Sequence, residues 1–287
     1  MECVLDAQAA LGEGPVWDPD AGCLYFVDIE RGLVHRYDPD TRASRSHQVD
    51  AMVGAVALTV SGDLLLAVRD GFARLDPDSG RVRPIACVEA DRPDLRMNDG
   101  ACDPAGRFWA GTMAIDERHG AGALYRLDPD GRVHRMVDEV TISNGLDWSN
   151  DGRLMYYVDT PTQSIDVFDF DVATGAIANR RSLARVPGED GSPDGLTVDA
   201  EGYLWVALWS GGAVYRYAPD GRLDRVVTVP VAYPTSCAFG GPDLRDLYIT
   251  TAARALTPDE RQGEPLAGGL FQCRPGVQGR PANRFGG

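Results

Sequence analysis

Asn144-Gly145-Leu146-Asp147-Trp148-Ser149-Asn150-Asp151-Gly152-Arg153-Leu154-Met155-Tyr156-Tyr157-Val158 is the stretch that decides the fold. A polar residue enters one strand, an Asn-Asp-Gly turn reverses the chain, and a run of apolar residues forms the next strand. The same order of turn glycine and apolar run recurs at Gly22 before residues 23–27, Gly62 before 64–68, Gly106 before 108–111 and Gly202 before 204–207. A divergent copy lies at Pro242 before 247–250. Several copies continue into a second strand that ends in a proline turn, at Pro39, Pro77, Pro129 and Pro219. The copies repeat at about 40–50 residues, the size of a four-stranded propeller blade.

Six copies without helical periodicity predict an all-β, six-bladed β-propeller with four antiparallel strands per blade, filling 1–287 as a single domain. A β-sandwich is the alternative, but it gives no reason for six similarly phased units. Cys3-Val4-Leu5 is expected to supply the outer strand of the last blade beside 269–273, because closing the ring removes exposed sheet edges.

Composition narrows the function. At 44% hydrophobic over 287 residues the chain can bury a sizeable core, and its 33 glycines and 19 prolines fall between apolar runs, as turns do. A net charge of −15 argues against nucleic acid and against an anionic membrane surface as partners. The sequence has neither a basic-then-apolar leader nor an apolar run long enough to span a bilayer, so a soluble, cytoplasmic protein is expected. Six cysteines without a Cys-x-x-Cys pair read as free, buried thiols, and His35, His47, His119 and His134 read as surface residues. Gly-x-Ser-x-Gly, His-Glu-x-x-His and phosphate-loop motifs are all missing.

Chemistry gathers instead at one phase of the repeat. Eight or nine residues before each turn glycine, on the innermost strand near one mouth of the central channel, stand Glu13, Asn98, Asn144 and Asp194; the second copy has Gly54. Any one of them alone reads as a turn residue, Asn-Gly and Asp-Gly being common turn pairs. Together they set carboxylate and amide oxygens around a narrow axis, where they repel one another unless a cation sits among them. One divalent metal ion in the central channel is therefore expected. A donor set without His or Cys suits Ca²⁺, Mg²⁺ or Mn²⁺, and carboxylates leave Zn²⁺ and Fe²⁺ open as well. Trp148 and Trp205 follow the strand pattern as core, whereas Trp209, just beyond its strand, is available to a sugar.

Several motifs taken together resemble the senescence marker protein, gluconolactonase and luciferin-regenerating enzyme family, which includes regucalcin and bacterial sugar-acid lactonases. They are Leu11-Gly12-Glu13-Gly14-Pro15, Arg96-Met97-Asn98-Asp99-Gly100, Trp109-Ala110-Gly111-Thr112-Met113, Ser143-Asn144-Gly145-Leu146-Asp147-Trp148-Ser149, Pro193-Asp194-Gly195-Leu196 and Ala267-Gly268-Gly269-Leu270-Phe271. The resemblance implies Glu13, Asn144 and Asp194 as metal ligands, with Asp194 also the general base. It implies Arg96 and Asn98 as the residues that hold the substrate's hydroxyls and carbonyl. It also implies an acidic substrate contact after Gly111-Thr112-Met113, which by position is Asp116, shorter than the Glu of many members. The activity implied is metal-dependent hydrolysis of a sugar lactone to the free acid in sugar catabolism, the substrate being an aldonolactone such as xylono-, glucono-, arabinono- or galactonolactone. A divalent ion can polarise the lactone carbonyl and stabilise the oxyanion, and either Asp194 or the ion itself activates the water. Two alternatives stay open: a hydrolase of organophosphates or other esters on the same scaffold, and a non-catalytic, regucalcin-like calcium-binding propeller.

Overall fold

The turns fix where each strand begins. In Asp199-Ala200-Glu201-Gly202 the buried Asp199 carboxylate accepts the backbone N–H groups of Glu201 and Tyr203 at 2.9 and 3.0 Å. The same carboxylate accepts the indole N–H of Trp205 and the guanidinium of Arg216, which locks the turn to the next two strands. Asp103 repeats the construction with Ala105, Arg107 and Trp109. Once a turn is fixed it sets the register, and the two-residue period then decides which side chains are buried.

The computed structural model describes all 287 residues and arranges their strands as six four-stranded antiparallel sheets. The innermost strands are Gly12–Asp18, Val53–Leu58, Leu95–Cys102, Ser143–Trp148, Ser192–Val198 and Pro234–Gly240, one to each of blades one to six. Neighbouring blades pack in chain order around a ring, as the repeat predicts. Glu2–Leu5 pairs with Leu270–Cys273 as the outer strand of blade six, so both ends of the blade sequence share one sheet and the ring is closed.

Apolar side chains pack between adjacent sheets, and Trp148 and Trp205 are fully buried there, as expected. No helix of the chain is long and apolar enough to cross a membrane. All six cysteines are free; Cys23, Cys102 and Cys237 are buried, Cys3 and Cys273 are half-buried, and Cys87 departs from expectation by being exposed. His35 also departs from its expected surface place. It is buried with its ring stacked on Phe26 at 4.5 Å between centroids, and burial lowers its pKa. A short helix, Pro258–Gly263, interrupts the all-β pattern behind a capping box of Thr257 and Glu260. Six residues are too few to show a helical period, but Thr257-Pro258-Asp259-Glu260 is a legible start signal.

Beyond blade six the chain crosses the end of the channel where the inner strands finish, and it touches every blade. The Gln278 carbonyl accepts the Ala200 N–H at 2.9 Å, the Gly279 N–H donates to Leu244 at 2.7 Å, and Arg280 pairs with Asp147. Asn283 donates to the Cys102 carbonyl at 3.0 Å, Phe285 exchanges backbone bonds with Leu58 and Val60, and Arg284 lies 2.6 Å from Asp20. Phe285 is buried in the layer between blades two and three. Phe285→Ala is expected to cost about 3–5 kcal/mol, lowering the melting temperature by roughly 10 °C. An unchanged thermal melt would mean that this strap merely rests on the ring.

Candidate active site

Every innermost strand loses register with its neighbour at one place, and that place is the phase at which the polar ring residues stand. The pairing skips between Glu13 and Val16, Val53 and Ala55, Met97 and Gly100, Ser143 and Leu146, Pro193 and Leu196, and Pro234 and Ser236. A β-bulge takes a residue out of the ladder and re-aims its side chain. Here the bulges hold Asn98, Asn144 and Asp194, while Glu13 is the last paired residue before its own bulge, opposite Val27, and all four line one cavity. Adjacent strands press together at these points. A Cβ on Gly145 would lie 2.6 Å from the Asp194 carbonyl oxygen, and one on Gly54 would lie 2.3 Å from that of Asn98. Gly54 thus brings no ligand for a steric reason: its bare backbone lets blade two close against the strand that carries Arg96 and Asn98.

The loops that feed these strands are held by aspartates from the strand alongside. Asp28 accepts the N–H groups of Ala10 and Leu11 at 2.9 and 3.3 Å, just ahead of Glu13. Asp159 accepts those of Thr141 and Ile142 at 3.1 and 2.9 Å, just ahead of Asn144. Blade six puts Thr235 at the bulge, its hydroxyl donating to the Gly12 carbonyl, a position that the divergent sixth copy conceals in the sequence.

The cavity measures about 600 Å³, a size that suits a small ligand. A chain of hydrogen bonds runs along its floor and joins three blades. Arg96 donates to the Asn98 side-chain oxygen at 2.6 Å and to the Met97 carbonyl at 3.0 Å. The Asn98 amide donates to the Ser143 carbonyl at 2.7 Å and to the Asn144 side-chain oxygen at 3.3 Å. The Asn144 amide donates to the Thr160 hydroxyl at 2.8 Å, which donates in turn to the Pro193 carbonyl at 2.9 Å, beside Asp194. Trp209 lines the cavity too, its ring 4.8 Å from that of Tyr233.

Asp116 is the one residue singled out from the sequence that does not reach the cavity. Its mostly exposed side chain pairs with Arg118 at 2.9 Å, while the next residue, Glu117, lines the cavity. Glu117 has a φ of +58°, uncommon for a residue with a Cβ, and this left-handed turn reverses which of the two carboxylates faces inward. Thr160 and Glu117 both lie off the ring phase, so counting from turn glycines passes over them.

The electrostatics fit a cation. Burial raises the Asp194 pKa well above the usual carboxylate range, and the Asp99 charge adds to the effect. Glu13 is raised likewise by burial and by the charges of Asp194 and Asp99, although its own Gly14 N–H bond at 2.9 Å opposes the shift. Arg96 is itself pushed down to about 10, chiefly by burial and then by Arg254. Asp194 Oδ1 is buried without a hydrogen-bond partner. The chain gathers no group of three or more His, Cys, Asp and Glu side chains suited to a metal. Its donors are two carboxylates and an amide oxygen, and a hard divalent ion among Glu13, Asn144 and Asp194 would relieve their repulsion and give Oδ1 a partner. Three protein oxygens leave coordination positions free for water and substrate.

These features define a six-bladed propeller with an oxygen-lined small-molecule pocket at one mouth. Residues 11–253 match the model of the SMP-30/Gluconolactonase/LRE-like region, and the chain belongs to that family, as its motifs suggest. It is 43% identical to regucalcin of Oryctolagus cuniculus over 100% of this chain and 98% of the relative. It is 41% identical to YvrE of Bacillus subtilis, which carries the name of a sugar lactone lactonase, over 96% of this chain and 95% of the relative. A crystal structure of a calcium-binding protein, regucalcin of Agrobacterium tumefaciens, superposes with a TM-score of 0.94 at 31% identity, covering 99% of this chain and 96% of the other.

Proposed function

We propose that this protein hydrolyses an aldonolactone, such as xylono-, glucono-, arabinono- or galactonolactone, to the aldonic acid, with one divalent ion held by Glu13, Asn144 and Asp194. The observation that carries the reading is the buried, partnerless Oδ1 of Asp194 at a cavity large enough for a sugar lactone. An ion bound there would polarise the lactone carbonyl and stabilise negative charge on its oxygen. The other steps belong to side chains. Asp194 accepts the proton of the water that attacks the carbonyl carbon; the ring C–O bond then breaks, and the ring oxygen takes up a proton to become a hydroxyl. Arg96, fixed by its hydrogen bond to Asn98, orients the lactone through charge-assisted donors, and Asn98 contributes the amide N–H that a cation on the Asn144 oxygen would release. Glu117, rather than Asp116, supplies the acidic contact.

The lactonase name of the Bacillus relative supports this chemistry. The regucalcin names support a second reading, a calcium-binding propeller without turnover. Proton release from a panel of aldonolactones, followed with a pH indicator, separates the two. The expected outcome is release that stops on chelation and returns with one divalent ion. A flat panel with every ion, together with tight calcium binding, would favour the second reading. Asn144→Ala is expected to weaken metal affinity at least ~10-fold with the thermal melt of the metal-free protein nearly unchanged, because the core lies between the blades. Global unfolding of that variant would contradict this assignment.

A further inference from the structure

Arg254 and Glu117 stand on opposite sides of the pocket and yet meet. Arg254 follows Asp246–Thr251, the second strand of blade six, and Glu117 follows Phe108–Ala114, the second strand of blade three. In a ring of six those blades face each other across the axis. Arg254 Nη2 lies 3.3 Å from Glu117 Oε1, and Nη1 donates to Glu30 of blade one at 2.9 Å. Both residues line the cavity that holds Arg96, Asn98, Asn144 and Asp194, so the pair forms a bar across its mouth.

Both ends of the bar are anchored by other contacts. The Arg254 backbone N–H donates to the Ala10 carbonyl at 2.9 Å, in the loop that leads to Glu13. The Glu117 N–H donates to the Ala114 carbonyl at 3.0 Å, and the turn around it is pinned by Arg118, which pairs with Asp94 and Asp116. Arg254 and Arg96 line the same cavity. The Arg254 side chain is 32% exposed and that of Glu117 50%, and ion pairs with so much water access are weak. An incoming hydroxyl can therefore displace Glu117, while Glu30 keeps the guanidinium at the mouth.

Resting on the lactonase reading, we infer that Arg254 is a substrate-recognition residue whose guanidinium hydrogen-bonds the lactone hydroxyls remote from the ester being opened. It selects polyhydroxylated lactones over bare ones, because a ring without hydroxyls has nothing to offer a donor that must first leave Glu117.

Steady-state kinetics of the metal-saturated wild type and Arg254→Ala on glucono-δ-lactone and on δ-valerolactone test the role. Arg254→Ala is expected to raise KM for the hydroxylated lactone ~10-fold, with kcat within about twofold and KM for the bare lactone unchanged. Where the bare lactone turns over too slowly, its inhibition constant against the sugar lactone replaces KM. Arg254→Lys, which keeps the charge but not the planar fork, recovers only part of the loss. A KM that moves equally for both substrates or for neither, or a fall in kcat on both, overturns the inference. If the wild type opens another aldonolactone but not glucono-δ-lactone, that lactone takes its place in the comparison; if it opens none of xylono-, glucono-, arabinono- and galactonolactone, the lactonase reading itself fails and the recognition role falls with it.

Discussion

Asp194→Asn is expected to abolish lactone hydrolysis, by at least ~10³-fold, and at the same time to raise the melting temperature of the metal-free protein. The two effects come from the same carboxylate. Its charge is what a bound cation and an attacking water both require, and the amide of Asn provides neither the charge nor a base. In the metal-free protein that charge is a burden, since Oδ1 has no donor and the pKa is raised by burial and by Asp99. A raised carboxylate pKa means that the native state resists ionisation more than the unfolded chain does, so at neutral pH the ionised group lowers stability. An amide of nearly the same shape does not ionise, and the burden disappears. A residue with a purely structural role would behave differently, losing stability and activity together. Initial rates with saturating divalent ion and thermal melts in chelator, on one preparation, distinguish the cases. A melt that falls with activity would remove Asp194 from the centre of the proposed chemistry.

The fold was legible because each blade repeats a turn that depends on local chemistry, such as the Asp199 carboxylate gathering two backbone N–H groups and an indole. Such a turn leaves a glycine and an apolar run in the sequence wherever it occurs. The ring of candidate ligands was legible for a related reason: bulges at one phase of the inner strands put Asn98, Asn144 and Asp194 eight residues before those glycines, and Glu13, one residue ahead of its bulge, nine before. What escaped depends on geometry without a period. Glu117 takes the inward place from Asp116 through one left-handed residue, and nothing in the composition of that turn announces it. Thr160 reaches Asn144 from the end of a neighbouring strand, and Arg254 meets Glu117 across 137 residues of chain. His35 is buried with its ring stacked on Phe26, and a lone histidine in a sequence carries no sign of such a partner.

Stability should respond to pH in opposite directions with and without a divalent ion. Asp99, buried in the channel next to this site, is raised to about 6 by burial against an ordinary value of 3.8. Between about pH 4 and 6 the native protein therefore binds more protons than the unfolded chain, and metal-free stability rises as pH falls through that window. Glu13 and Asp194, also raised, push in the same direction. Asp99 alone accounts for on the order of 2 kcal/mol, roughly 5 °C in a protein of this size. Further acid reverses the gain, because carboxylates with lowered pKa values, such as Asp169 beside Arg181 and Asn179, then lose their partners. A divalent ion on the proposed ligands would change the sign above pH 4. It would stabilise the ionised forms of Glu13 and Asp194, adding about 2.7 kcal/mol at a hundred times its Kd, and acid would displace it. Melting curves from pH 4 to 8, in chelator and in saturating metal, should slope oppositely, and Asp99→Asn should flatten the chelator series. Parallel slopes in the two series would mean that protons and metal do not compete for these oxygens, and the three-ligand site would have to be abandoned.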